Sequence, residues 1–515
     1  MKINRFALLA ALALVLLNLA APARPVRAAT TFLVDTQNNT DEDIPGDCIC
    51  ADSNGDCSLP AAIQEADACP GADTIRLSHV AYQLEERVFE IHEDLTITNP
   101  LASFSAISNG SVARLFIVPS GVKLTLDAVK INYSGGIESN GQVWLYDCML
   151  EDNQPDAGED GGAIWSGSAN GYLYIDHSWI GNNTAGTGAD GGGIYSNSPT
   201  MIFNSFVYEN SAVDGGGIYL AGGSQSIVLE TRVNDNTATA NGGGLYVVAG
   251  GYGASHSVAG SHIVNNEAQN GGGLFVTETD IYLTNTSLIA NHATNNGGGL
   301  LITAQITYPK AYLTNVTVGG NAAENHGGGL CFGADTRGDL SNVTVTQNSA
   351  DWSTTGVGNG SGDGGGIANL SQHEILLRNS VIAENSDRSL VAPPNYGKPD
   401  CDGLFTSGGY NLIGNKTCTV TAQSGDQFGN RFLLVDPLLG DRIDGADPNF
   451  TSYYPILAGS PLIDRANPTG CVDSDGDPIT TDQLERPRPL GLFCDIGAFE
   501  SSFSLSGIYL PVVLR

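Results

Sequence analysis

The sequence predicts an all-β chain wound into a parallel β-helix (β-solenoid), with a helical cap at its N-terminus and a small cap domain at its C-terminus. Three observations lead there. Clusters of two or three glycines recur, each followed by an apolar residue: Ile164, Ile194, Ile218, Leu245, Leu274, Leu300, Leu330 and Ile367. Successive intervals are 30, 24, 27, 29, 26, 30 and 37 residues. A second mark keeps step with the first, at Asn153, Asn183, Asn210, Asn236, Asn266, Asn291, Asn321, Asn348 and Asn385, with an aliphatic residue three positions before each. Between the marks, apolar residues alternate over short segments such as "GGGLYVV" and "IYLTNTSLIA", which is the period of strands and not of helices.

The repeating unit reads [ST]-x-[VIL]-x-x-N-x-A, then G-G-G-[IL]. Matched eight or nine times, it is the signature of a stacked repeat. Each coil carries two or three short strands, and stacking sets equivalent strands about 4.8 Å apart. The glycines provide sharp turns, because they tolerate left-handed backbone. The aliphatic and alanine positions form buried files, and the asparagines can hydrogen-bond up and down a ladder. The solenoid is expected over 76–425, in about twelve coils and a length of about 55–60 Å. Open strand edges at its ends require caps. At 29–75, "CSLPAAIQEADA" is the helix candidate, with Ser58 as N-cap and Pro60 in the first turn. Residues 426–500 are rich in Pro and Asp and lack the repeat, and 501–515 form a tail.

Residues 1–28 read as a secretory signal: Lys2 and Arg5, the apolar stretch "FALLAALALVLLNLA", then Val26-Arg27-Ala28. Its removal takes the formal charge from −33 to −37. So acidic a chain excludes non-specific binding to nucleic acid or anionic lipid and favours cations. No later segment can cross a membrane as a helix. Export makes disulfides plausible. They are expected locally at the two ends, among Cys48, Cys50, Cys57 and Cys69 and within the pairs Cys401/Cys418 and Cys471/Cys494. Cys148 and Cys331 remain as free thiols inside the array.

The glycine and Asn marks over roughly 140–390 resemble the repeats of polymorphic outer membrane proteins and related right-handed parallel β-helix proteins. That family usually has Phe three residues before the Asn, where this chain is aliphatic. Cys57-Ser58-Leu59-Pro60-Ala61-Ala62-Ile63 resembles the N-terminal CSLREA motif. "DPLLG" (436–440), "GSPLID" (459–464) and "RPRPLGLFCDIGAFE" (486–500) resemble the choice-of-anchor Q domain. The combination implies a right-handed β-helix, secreted or displayed at a cell surface. The last residues, "SGIYLPVVLR", are too short to span a bilayer and hold no barrel-forming alternation. They are a sorting tag or a last strand.

Candidate chemistry lies in two files beside the glycines. Asp160, Asp190 and Asp214 precede three consecutive clusters. Stacked carboxylates repel, by roughly 1 kcal/mol per pair even in bulk water. They are a candidate Ca²⁺ site, the only cofactor expected. The alternative is a repeated Asx cap on the turn amide. The residue after each apolar mark is Trp165, Tyr195, Tyr219, Tyr246 and Phe275, then Leu301, Cys331 and Ala368. Strand alternation turns this file outward. It is a candidate sugar-binding stripe, or a stack that stabilises the coils. The insertion 351–366 is a second candidate site. "DSNGD" (52–56) and "DSDGD" (473–477) read as Asp-rich turns. "IDHS" (175–178) is a weak triad candidate, because strand neighbours face opposite ways.

The expectation is a non-enzymatic, exported scaffold for adhesion or extended glycan binding. It would be a monomer that contacts extracellular polysaccharide or a neighbouring surface, with no nucleic acid and no membrane span after signal cleavage. A carbohydrate-active enzyme, lyase or hydrolase, is the alternative. A purely structural envelope component is the third reading.

Overall fold

The computed structural model describes residues 29–78, 81–100, 103–222, 225–249, 255–351, 362–389, 397–445 and 451–503. Residues 1–28, where the signal is expected, positions 352–361 of the insertion and the residues after 503 lie outside the described residues. The chain is a parallel β-solenoid. Two sheets of 14 strands and one of 12 run its length, and a fourth of seven strands joins them from Ser211–Asp214 to Ser386–Asp387. Every strand in these sheets pairs in parallel with its equivalent one coil away. In the second sheet, for example, Ile164, Ile194, Ile218, Leu245, Leu274, Leu300, Leu330 and Ile367 are successive partners.

The aliphatic files are the core. These eight residues have no exposed surface, and neither do the nine aliphatics three residues before the asparagines. The coil closes on tight left-handed corners. The first glycine of each cluster has φ between +59° and +74°. The second is excluded from bearing a side chain by the next coil: a Cβ on Gly272 would stand 2.3 Å from the carbonyl oxygen of His292. The Asn mark is not itself a left-handed corner. The residue before it is, as at Asp152, Asn182, Glu209, Asp235, Asn265 and Ala290, with φ between +51° and +56°. That corner aims the asparagine inward.

Inside, the asparagines form a continuous ladder. The N–H and the Nδ2 amide of Asn236 both donate to Oδ1 of Asn266, at 3.0 and 2.9 Å, and Nδ2 also donates to the Val207 carbonyl at 2.9 Å. Asn266 repeats this toward Asn291 and the Val233 carbonyl. Ser134 Oγ donates to Asn153 at one end, and Asp400 Oδ1 accepts from Asn385 at the other. Each amide is thereby satisfied in a dry interior, where an unpaired polar group would be costly.

Helix α1 (Leu59–Ala68) covers the N-terminal end. Ser58 accepts the Ala61 N–H at 3.1 Å and Pro60 sits in the first turn, as expected. Leu59, Ala62, Ile63 and Ala66 join the solenoid core. Strand Thr31–Leu33 pairs with Asp73–Arg76, so the first sheet begins inside the cap. Cys48–Cys69, Cys50–Cys57, Cys401–Cys418 and Cys471–Cys494 are bridged, and Cys148 and Cys331 are free and buried.

The region after 435 does more than close the C-terminal end. It folds back along the outer face of the third sheet, the 14-stranded one that contains Ser287–Ile289, Thr317–Gly319 and Thr344–Thr346. Ser452 N–H donates to Ser287 Oγ, Thr317 Oγ1 donates to Gln483 and Ala498 N–H donates to Thr344 Oγ1. The Tyr454 ring fills the space left by Gly319. Arg488 is the clamp. It is fully buried, pairs with Glu500 at 2.7 Å and donates to Asn315 Oδ1 of the solenoid at 2.8 Å.

Asn266→Ala leaves the Asn236 N–H, and the Nδ2 proton that Val207 does not take, without an acceptor. It should destabilise the fold by about 3 kcal/mol, at 1–3 kcal/mol per orphaned group, measured by denaturant unfolding. A loss below about 1 kcal/mol would mean that the ladder is passive. Arg488→Ala strands the buried Glu500 carboxylate and should cost about 3–5 kcal/mol. Limited proteolysis should then cut first between 436 and 500. An unchanged cleavage pattern would refute the clamp.

Candidate functional site

The second sheet holds the aromatic file in register. Trp165 pairs with Tyr195, Tyr195 with Tyr219, Tyr219 with Tyr246, and Tyr246 with Phe275. From Tyr195 to Phe275 the rings stack at centroid distances of 4.8, 4.6 and 5.1 Å, within 16° of parallel. Their faces therefore cover one another. The Trp165 ring folds over Gly167, where a Cβ would stand 2.0 Å from it. Exposure fades along the file: Trp165 to Tyr246 are half-buried, whereas Phe275, Leu301, Cys331 and Ala368 are buried together. Burial pushes the Tyr246 phenol up to about 12, with Asp214 and Asp190 adding to the shift.

The acidic file is also in place, half-buried beside the left-handed glycines. Asp160 Oδ1 accepts the Asp190 N–H at 2.9 Å, and Asp190 Oδ1 accepts the Asp214 N–H at 3.1 Å. Asp214 Oδ1 accepts both the N–H and Nδ2 of Asn241 at 2.9 Å. The amide served is thus that of the next coil. Burial, then Asp214, push the Asp190 carboxyl up to about 6. Asp214 is raised by burial too. Among the described residues no group of three or more His, Cys, Asp or Glu is arranged to hold a metal ion.

Other sequence candidates are structural. Asp52 Oδ1 accepts the N–H groups of Asn54 and Asp56, and Asp473 Oδ1 those of Asp475 and Asp477, so both Asp-rich segments are turns. In "IDHS", His177 pairs with Asp176 at 2.8 Å while Ser178 is buried and donates to the Asp176 carbonyl. A His262–Ser452–Asp444 chain also occurs, with His262 and Ser452 buried and Asp444 exposed. There Ser452 Oγ donates to Asp444 at 2.8 Å and meets His262 Nε2 at 3.2 Å. With its proton committed to Asp444, the serine can only accept from His262. The histidine is a donor, and the chain is a latch, not a nucleophile with its base. Burial holds His262 down to about 3.

Sequence reading missed a second aromatic surface, on the first sheet. Trp144 stacks on Tyr174 at 4.9 Å, and Tyr146, Tyr172 and Phe203 surround the pair. Its signal was present: aromatics at i and i+2 in "VWLY" and again in "YLYI", in consecutive repeats. Register aligns Gln142 with Tyr172 and Trp144 with Tyr174.

The fold and its files define a parallel β-solenoid repeat protein. Comparison with protein-family models and with curated proteins gives no match.

The Asp190 shift makes a pH-dependent prediction. Its folded pKa lies above the usual carboxylate value of 3.8. Between about pH 4 and 6 the folded chain holds a proton that the unfolded chain has lost, so this group's contribution improves on acidification through that window. Asp190→Asn keeps the oxygen and adds an amide that can donate to Asp160, as Asn241 does to Asp214. It should raise stability at pH 7 by about 1 kcal/mol after discounting for solvent screening. It should also flatten the pH 4–6 slope of the melting temperature. An unchanged slope would remove the argument.

Proposed function

We propose that the chain is an exported, non-enzymatic β-helix scaffold that contacts extended polysaccharide at or outside a cell surface. The observation that carries this reading is the file Trp165–Tyr195–Tyr219–Tyr246, which presents a half-buried aromatic on each of four successive coils, its three tyrosines stacked at 4.8 and 4.6 Å. That spacing is close to the rise of one sugar unit in an extended polymer. Because the ring faces are covered, contact runs through ring edges and phenol groups, with Trp165 at the head of the file. Four disulfides fit an extracellular protein, and among the described residues no helix is long and apolar enough to cross a membrane. The CSLREA-like stretch at the N-cap and the choice-of-anchor Q-like residues support the same reading.

The test is affinity electrophoresis and retention on immobilised neutral and acidic polysaccharides. The chain should be retarded on at least one. The variant Tyr195→Ala/Tyr219→Ala/Tyr246→Ala should lose most of that retardation while keeping its strand signal in circular dichroism. Retention unchanged in the variant would reduce the stripe to packing. Product release from any of the polymers would favour the enzyme reading instead.

A further inference from the structure

The first coil closes on an acid that is only half paired. Asp73 opens the strand that pairs with Thr31–Leu33 and shares the inward face of Ile75, with 1% of its surface exposed. Thr30 stands beside it, one place before the first paired residue. The Thr30 N–H donates to Asp73 Oδ1 at 2.7 Å, and the Thr30 carbonyl accepts the Thr74 N–H at 2.9 Å. Thr30 Oγ1 lies 3.7 Å from Sγ of the bridged Cys69. Asp73 Oδ2 is buried and has no hydrogen-bond partner. A carboxylate held this way is costly until a donor or a cation reaches it.

No side chain of the cap supplies that cation. Between Ala29 and Ile75 the sequence has ten acids and no Lys, Arg or His. Arg76, on the same strand, is exposed on the opposite face. Burial raises the proton affinity of Asp73, and the charged groups that add to it are also acids: Glu93, just before strand Leu95–Thr98, and Glu65 on helix α1.

The backbone can supply it. The inference rests on the reading of residues 1–28 as a secretory signal removed after Ala28. Hydrolysis of the Ala28–Ala29 bond gives Ala28 a carboxylate and Ala29 an α-ammonium group. Bond geometry alone keeps the Ala29 nitrogen within about 3.7 Å of the Thr30 nitrogen, and the Thr30 nitrogen is already bound to the carboxylate. Ala29 is exposed, so its new ammonium group approaches from solvent. We propose that Asp73 is the receptor for the mature N-terminus: the Ala29 α-ammonium group pairs with Oδ2, and removal of the signal completes the cap. While Ala28 is attached, Ala29 carries a neutral amide in that place. The first coil is then less stable before export than after it.

The full-length chain, exported from a bacterial host and purified, tests the proposal. Cleavage before Asp35 should release the peptide Ala29–Val34, and its mass identifies the first residue. The rate at which acetic anhydride acetylates the α-amino group of the folded chain, followed against pH and read on that peptide, gives the group's pKa. It should exceed the ordinary range of about 7.7–8.0 by one unit or more. Asp73→Asn should return it to that range. So should insertion of Gly-Ser between Ala28 and Ala29, which carries the ammonium about 7 Å along the chain. The insertion leaves Asp73 in place and decides the matter if Asp73→Asn does not fold. Because the folded pKa is raised, the pair's contribution is complete below the unfolded value and is lost as pH rises through the folded one. The wild-type melting temperature should therefore fall, relative to both variants, between about pH 7.5 and 9.5. An ordinary pKa in a chain that begins at Ala29 overturns the pairing, and so does a raised pKa that survives in either folded variant. A purified chain that keeps residues 1–28, or begins elsewhere, refutes the cleavage itself and the proposal with it.

Discussion

The structure depends on one constraint: every coil must set the same atoms directly above those of the coil before it. The asparagine ladder enforces this more strictly than the apolar core does. Ile164 and its successors would tolerate a small slip, because dispersion contacts are non-directional. The Oδ1 atoms would not. Each receives two donors from the previous coil at close to 3.0 Å, so a shift along the strand breaks both bonds at once in a dry interior. The second glycine of each cluster adds the steric half of the constraint, since any Cβ there would collide with the next coil's backbone.

A ladder of this kind has a direction, and its ends must be finished accordingly. Amides point their donors toward the C-terminal end and their acceptors toward the N-terminal end. The hydroxyl of Ser134 meets the acceptor end, and the carboxylate of Asp400 meets the donor end. Burial pushes Asp400 up to about 6, the cost of placing an acid there. The glycine corners follow the same logic. Their N-terminal carbonyls, from Gly135, Asp160 and Gly161, are closed by the buried Arg114 guanidinium. At the far end the Gly364 and Gly365 N–H groups find the Lys398 carbonyl. Two buried charges, Arg114 and Asp400, thus finish the array at its boundaries, where a solenoid requires capping.

Nearly all of the periodic structure was legible in the sequence, because a solenoid's contacts lie one repeat apart and leave the same residue type at each step. The glycine corners, the inward aliphatics, the ladder and both outward files follow from that, and helix α1 was legible separately from Ser58 and Pro60. What was not legible is aperiodic. The return of the C-terminal region along the third sheet joins residues 130 to 190 positions apart, such as Asn342 with Val472 and His262 with Ser452. Its one trace lies in the outward position of the repeat, which runs Trp179, Phe206 and Arg232, then His262, Ser287, Thr317 and Thr344. Large side chains give way to small hydroxyls where a second segment must approach. The first-sheet aromatic cluster was missed for a related reason: it extends across strands over only two or three coils, too few to register as a file.

Stacking has a further effect on what such a surface can offer. Groups repeated at coil spacing meet one another before they meet anything else. The tyrosines cover each other's faces, and the aspartates give lone pairs to the next coil's amides while Asp214 and Asp160 add to the burial that raises Asp190's affinity for protons. A periodic file is thus partly self-satisfied, and what it presents outward is a row of identical, weak contacts. Such a row suits a long repetitive polymer, which sums many small gains, better than a small ligand, which needs several groups converging on one point. Strong local contacts belong where the period stops. Asp73, at the first coil, has only Thr30 before it, so its second oxygen is open to a partner in a way that the Oδ1 atoms of Asp160 and Asp190, taken by the next coil, are not.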